Sequence, residues 1–207
     1  ARSEPKMLKF VDELGPTYAS QFSYKLFDVS IKENWENFAQ ELQDNGTKVD
    51  ILINNAGILP KFKRFDRYSY DEIEKAMNIN FYSCIYSTKT LLPMLLESPT
   101  PGVINIDSSA ALMTLAGTSM YSASKAALKG FTEALRVEFQ GKMYVSLVCP
   151  GFTKTDIFRD QGTESNSKGH MVMDMISTDC DLMVKMIMNG IELKAPMQVH
   201  GLYAHAM

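Results

Sequence analysis

A chain of 207 residues, 45% hydrophobic and 22% charged with a formal net charge of -3, is long and apolar enough to bury a sizeable core. It carries no basic block of the kind that binds nucleic acid and no apolar run near the ~18 residues of a membrane-spanning helix, so neither partner is expected. Three widely spaced cysteines (Cys84, Cys149, Cys180) and three scattered histidines lack metal-ligand spacing, which points to reduced structural thiols, no metal and a cytoplasmic protein.

Residues 3–14 place Met7, Leu8, Val11 and Leu14 at a helical period that Gly15-Pro16 should stop. QFSYKLFDV, residues 21–29, reads as an apolar strand ending at Asp28. Ser30 is the expected N-cap of a helix carrying Trp35, Phe38, Ala39 and Leu42, closed by Asn45-Gly46. The run VDILI, residues 49–53, is short, β-branched and almost continuous, as in a strand buried on both faces, and it leads into Asn54-Asn55-Ala56-Gly57. A basic and aromatic loop covers residues 58–70, and a long helix should follow over 71–96, with Pro93 as a candidate kink. After the turn SPTPG come a strand at 103–106 and a helix from about 118 to 139. A buried strand at 145–149 is cut off by Pro150-Gly151. Residues 153–169 are polar and expected to be mobile. A methionine-rich helix spans 171–193 and a last strand 197–202.

Strand and helix alternate, and the helices are long enough for right-handed crossovers between parallel strands. The expected fold is therefore α/β, a doubly wound parallel sheet forming one domain over residues 1–207. Ligands in such sheets bind beyond the carboxyl ends of the strands, where Asp28, residues 54–57, Ser108-Ser109 and Pro150-Gly151 all fall. Tyr121 and Lys125 stand four apart on the predicted helix and so share a face. An ammonium held beside a phenol stabilises the phenolate, and a hydroxyl at the facing strand end can hydrogen-bond a carbonyl oxygen between them. That constellation suits carbonyl/alcohol interconversion.

NNAG at 54–57, the serine pair, YSASK at 121–125 and PG at 150–151, in this order and spacing, resemble the classical short-chain dehydrogenase/reductase family over nearly the whole chain. The resemblance implies a Rossmann-like fold and an NAD(P)-dependent oxidoreductase that interconverts a carbonyl and a secondary alcohol by hydride transfer. It makes Tyr121 the general acid/base and Lys125 its electrostatic partner and a ligand of the nicotinamide ribose. Asn80, preferred over Asn78, is the helix asparagine that anchors a water relay to the lysine. Strand register selects Ser109 as the substrate-binding serine. The family's usual spacing, one residue longer than the twelve between Ser109 and Tyr121, selects Ser108 instead. On the cofactor side the resemblance implies Asp28 and Val29 against adenine, and Asn54, Ala56 and Gly57 along the adenosine. It puts Pro150, Gly151, Thr153 and Thr155 around the nicotinamide carboxamide. Arg2, after the family's second strand, tilts the expectation to NADP with NAD as the alternative. A homodimer or homotetramer is implied by the long helices at 71–96 and 118–139. The methionine-rich segment is read either as core or as an adaptable lid over an apolar substrate.

The departure from the family is at the amino terminus. No GxxxGxG-like turn occurs in these residues, and Ala1 corresponds to a point just after the family's second strand, so the first strand, glycine turn, first helix and most of the second strand are expected to be lacking. The chain therefore reads as a partial domain from a longer protein. The competing reading is a truncated or non-catalytic member that serves in binding or regulation.

Overall fold

The structure is a computed structural model that describes residues 3–161 and 177–201. Four strands, β1 (Ile51–Asn54), β2 (Gly102–Ile106), β3 (Tyr144–Pro150) and β4 (Met197–His200), form one sheet in the order β1-β2-β3-β4. Every pairing is parallel, with Ile53 beside Ile104, Ile104 beside Ser146 and Leu147 beside Met197. Parallel neighbours need a crossover. The first is made by α3 (Tyr70–Met77), a π turn (Asn78–Tyr82) and α4 (Ser83–Leu96), the second by α5 (Ser119–Glu138), and α6 (Cys180–Glu192) lies between β3 and β4. This is the expected α/β doubly wound, Rossmann-like arrangement. Before β1 come α1 (Glu4–Ala19) and α2 (Lys32–Asp44).

The core lies where α2, α4 and α5 cover the sheet: Leu91, Leu95, Val103, Leu135 and Val145 are buried together, with Trp35, Leu42 and Leu52 packed against them. Completely buried Val103, Ile104, Leu147 and Val148 explain why β2 and β3 read as unbroken apolar runs.

The amino-terminal region departs from expectation. Gly15 (φ 68°, ψ 169°) breaks α1 as anticipated, but helix resumes beyond it. Residues 21–29 form no strand: no described strand pairs with them, and their aromatic side chains pack on the flanking helices instead, with Phe22 5.4 Å from Phe10 of α1 and Phe27 5.0 Å from Trp35 and 5.6 Å from Phe38 of α2. Ser30 does not cap α2. Its amide and hydroxyl both donate to Asp28 Oδ1, at 2.9 and 2.7 Å, and Ile31 occupies the cap position. β1 is not buried on both faces either, since Ile51 and Ile53 are each 50% exposed at the edge of the described sheet.

The long helix after the 58–70 loop begins with a capping box, Ser69 and Glu72 exchanging hydrogen bonds with each other's backbone amides. It runs through Pro93 to Leu96, but one turn is widened: the Ser83 amide reaches back five residues to Asn78 O. Turns of this kind gather at functional sites, and this one holds Asn80.

Candidate active site

At the carboxyl edge of the sheet, a buried polar chain first fixes the loop after β1. The Asn54 amide nitrogen donates to Asn105 Oδ1 at 2.8 Å and Thr88 Oγ1 at 3.2 Å, while Ser87 Oγ donates to Asn54 Oδ1 at 2.6 Å. Asn105 in turn donates to Thr132 Oγ1 at 2.8 Å. Asn54 thus ties β1 to β2, α4 and, through Asn105, α5. Asn55 and Gly57, rather than Asn54 or Ala56, reach the cavity.

The π turn then aims Asn80 at the same loop. With none of its surface exposed, Asn80 donates to Ile58 O at 2.9 Å and accepts from Ile58 N at 2.8 Å, so one amide closes both ends of a backbone peptide position. Its second amide hydrogen goes to Ser124 Oγ at 3.0 Å, and Ser124 donates to Tyr121 O at 2.7 Å. Asn80 therefore pins the loop after β1 to the first turn of α5. Lys125, 4% exposed, donates to Ile106 O at 2.9 Å, which holds its ammonium against the end of β2. A Cβ at Gly57 would stand 3.5 Å from Asn80 Oδ1 and 3.9 Å from Lys125 Nζ, so the loop backbone passes close over both groups.

Around this frame opens a cavity of about 270 Å³. Tyr121, Lys125, Ser108, Ser109 and Gly57 line it together with Pro150, Gly151, Thr153 and Thr155. Ser108 Oγ accepts from Ala110 N at 3.1 Å, capping the 3₁₀ turn Ser109–Ala111, whereas the Ser109 hydroxyl makes no hydrogen bond among the described residues. Asp28 and Val29 are not among the lining residues. The Asp28 carboxylate is engaged by Ser30, and Val29 O accepts from Trp35 Nε1 at 2.9 Å. Arg2 lies outside the described residues, as do residues 162–169 of the polar stretch and the start of the methionine-rich segment, whereas the first half of that stretch, expected to be mobile, is held by the Thr153–Thr178 bridge and a 3₁₀ helix at Asp156–Gln161.

One side of the wall is apolar: Leu59 and Phe62 from the loop after β1, Met113 and Leu115 from the loop after β2, and Met183, Val184 and Ile187 from α6. The two loops are clasped together. Lys63 N and Tyr68 OH each donate to Gly117 O at 3.2 Å, and Gly117 has φ 84°, so a side chain there would be strained. Lys63 Nζ also grips the Glu72 carboxylate at 2.6 and 2.7 Å and, with the Ser69 amide, holds its pKa down to about 2. On the other side, Thr178 N donates to Phe152 O at 2.8 Å and Lys154 N to Thr178 O at 3.0 Å, which ties the loop following Pro150-Gly151 to the entry of α6.

Asp107 was not among the residues singled out from the sequence. It lines the cavity between Ile106 and Ser108, is only 5% exposed, and neither carboxylate oxygen has a hydrogen-bond partner among the described residues. Burial pushes its pKa up to about 7, against the opposing pull of the Lys125 ammonium, the Ser108 amide and Lys129. The signal was a carboxylate ending the apolar run GVINID at the sheet edge where ligands bind. Among the described residues no cluster of three His, Cys, Asp or Glu side chains could hold a metal, and no helix is long and apolar enough to cross a membrane.

The short chain dehydrogenase family profile matches residues 1–166. The chain is 35% identical over 151 residues to 11-beta-hydroxysteroid dehydrogenase-like 2 of Arabidopsis thaliana, covering 72% of this chain and 48% of that protein. It is 39% identical over 127 residues to the ketoacyl reductase HetN of a Nostoc strain, covering 61% of this chain and 44% of that protein. The chain thus spans about half the length of these curated relatives. In fold it is similar to a short-chain dehydrogenase from Sphingobium yanoikuyae in complex with NADPH, with a TM-score of 0.80 at 20% identity over 96% of this chain and 75% of that one.

Proposed function

This chain belongs to the short chain dehydrogenase family, and on that premise we propose that it serves in an NADP(H)-dependent oxidoreductase interconverting a carbonyl and a secondary alcohol on an apolar substrate. The observation that carries the reading is the convergence of Tyr121, Lys125 and the Ser108-Ser109 pair on one cavity with Gly57, Pro150 and Gly151. The residues fit the nicotinamide end of a dinucleotide. Gly57 leaves the space that a Cβ would take beside Lys125 Nζ, and Lys125 retains two N–H groups beyond its bond to Ile106 O for a ribose diol. When bound, the nicotinamide supplies or accepts the hydride.

In the reductive direction Tyr121 gives its phenolic proton to the carbonyl oxygen. Ser109, the preferred serine, donates a hydrogen bond to the same oxygen, with Ser108 as the alternative. Lys125 supports the resulting phenolate electrostatically, and Asn80 holds the loop after β1 and the Tyr121 turn in register rather than touching the reacting atoms. Oxidation runs these transfers backwards. Thr153 and Thr155 are assigned to the carboxamide side. The apolar wall formed by Phe62, Met113, Leu115, Met183 and Ile187 favours a bulky hydrophobic substrate, and a relative named for hydroxysteroids supports this choice. The preference for NADP over NAD draws on the NADPH-bound structural neighbour and on Arg2. A single domain, a cytoplasmic location and pairing of subunits through α4 and α5 complete the reading.

The test is a fluorescence titration of NADPH with the purified chain. Saturable enhancement of the nicotinamide emission, competed by NADP⁺ and lost in Lys125→Met, is expected. No saturable binding would count for the non-catalytic reading.

A further inference from the structure

Asp107 is a carboxyl group that the reaction scheme above does not use. Its side chain is buried at the end of β2, both oxygens lack hydrogen-bond partners among the described residues, and it shares the cavity wall with Lys125 and Tyr121. A buried ionised carboxylate without hydrogen bonds is costly, so its retention at this place calls for a compensating group. Lys125 is the strongest such group: it is also buried, and its ammonium is fixed on the carbonyl of Ile106, the residue just before Asp107. Yet no ion pair within 4.0 Å joins them among the described residues. The two charges therefore influence each other through a low-dielectric interior without neutralising each other by contact.

We propose that Asp107 is a positioning residue for the Tyr121–Lys125 pair, its carboxyl acting through Lys125 to set how much positive charge the ammonium presents to the phenol oxygen and to a bound ligand. This rests on the reading of Tyr121 and Lys125 as the proton-transfer pair.

The neighbouring titratable groups leave the role to Asp107. From α5, Lys129 also favours the Asp107 anion, but it is paired with Glu133 at 2.8 Å. From β3, Cys149 is pushed up to about 12 by burial, and from α4 burial likewise raises Cys84, so both thiols stay neutral across the working range. Burial holds Asp107 itself protonated below about 7. Below that pH the Lys125 charge stands unopposed and supports the phenolate in full. Above it, the Asp107 anion offsets part of that charge. The site thus has a proton-dependent setting in addition to the proton that Tyr121 transfers.

The experiment is a carbon-13 NMR titration of the ligand-free full chain from pH 5 to 9, following Asp107 Cγ and Tyr121 Cζ in the wild type and in Asp107→Asn. The expected result is an Asp107 midpoint near 7, with a step at the same pH in the Tyr121 resonance that vanishes in the variant. An Asp107 midpoint below 5, or a Tyr121 resonance with no step at the Asp107 midpoint, overturns the proposal, and the wild-type titration decides even if the variant does not fold. A second readout is the affinity for NADPH against pH, which should step near 7 in the wild type and be flat in Asp107→Asn. If the chain binds no NADPH, that result strikes the proposed function, whereas the titration tests the charge coupling on its own.

Discussion

Replacing Asn80 by alanine tests whether one buried amide holds the site together. The substitution removes three hydrogen bonds, two to the backbone of Ile58 and one to Ser124, at a position with no exposed surface. Ser124 keeps its bond to Tyr121 O, so its share of the loss is small. Ile58 N and O lose their only side-chain partner among the described residues, at a cost of roughly 1–2 kcal/mol each where water reaches them imperfectly. The sum, about 2–4 kcal/mol, is a large part of the ~5–15 kcal/mol that ordinarily separates folded from unfolded domains. With a urea m-value near ~2 kcal/mol/M the unfolding midpoint falls by about 1–2 M. Trp35, the single tryptophan, reports the transition by fluorescence, because its indole is packed on Phe27 and Phe38 and donates to Val29 O. Asn80→Asp sharpens the test. It keeps the acceptor for Ile58 N but loses both donors and buries a charge, so it should be worse than alanine at pH 8 and recover partly at pH 5. An alanine variant within about 0.5 kcal/mol of wild type would refute the pinning role.

Other outcomes follow from the same contacts. On any carbonyl compound that the chain reduces, Tyr121→Phe should lower turnover by ~10²-fold or more with an unchanged far-ultraviolet circular dichroism spectrum. Of the two serines, Ser109→Ala should lose ~10-fold or more in turnover while Ser108→Ala mainly loses the cap on residues 109–111; the reverse order assigns the substrate oxygen to Ser108. Asp107 gives a stability signature of its own. Its folded pKa of about 7 lies above the unfolded value of 3.8, so the folded state holds the extra proton and stability falls as pH rises between those values. Asp107→Asn should remove this slope and stabilise the chain at pH 8 by up to ~4 kcal/mol relative to its effect at pH 4, as read from urea midpoints; equal effects at both pH values would contradict the burial argument. At Gly190 a Cβ would lie 2.2 Å from Gln198 Cδ and Oε1, so Gly190→Ala should force the Gln198 head group out of its place between α6 and β4 and lower the thermal midpoint, at a cost of ~1–3 kcal/mol.

Where residues carry local and redundant signals, the sequence was a good guide. The unbroken apolar runs of β2 and β3, the Pro150-Gly151 pair that ends β3, and the long helix presenting Tyr121 and Lys125 all lie where their patterns put them. The failures share a cause, which is dependence on a partner distant in the chain. Residues 21–29 have a strand's composition, but a strand exists only through its ladder, and α1 and α2 take Phe22 and Phe27 instead. Ser30 has the residue type of a cap, but Asp28 two residues earlier captures its hydroxyl. The apolar face of β1 could not announce that Ile51 and Ile53 would be half open. Asn80 was legible through its family motif, whereas the widened turn that aims it was not, because that turn is fixed by Ile58 and Ser124 rather than by its neighbours.

The widened turn at Asn78–Tyr82 also acts as a place where one helix stores an extra residue. An i→i+5 turn takes up one residue more than the α-helical turn it replaces, so a single deletion within these five positions would wind it back to regular geometry while leaving α3 and α4 nearly in phase. The Ser69–Glu72 cap, the Lys63 clasp carried by Glu72 and the loop bearing Phe62 would keep their places. What would be lost is the aim of Asn80, whose amide meets Ile58 and Ser124 from inside the widened turn. A shortened helix should therefore still fold and pack, and yet let go of the loop that it now holds by one side chain.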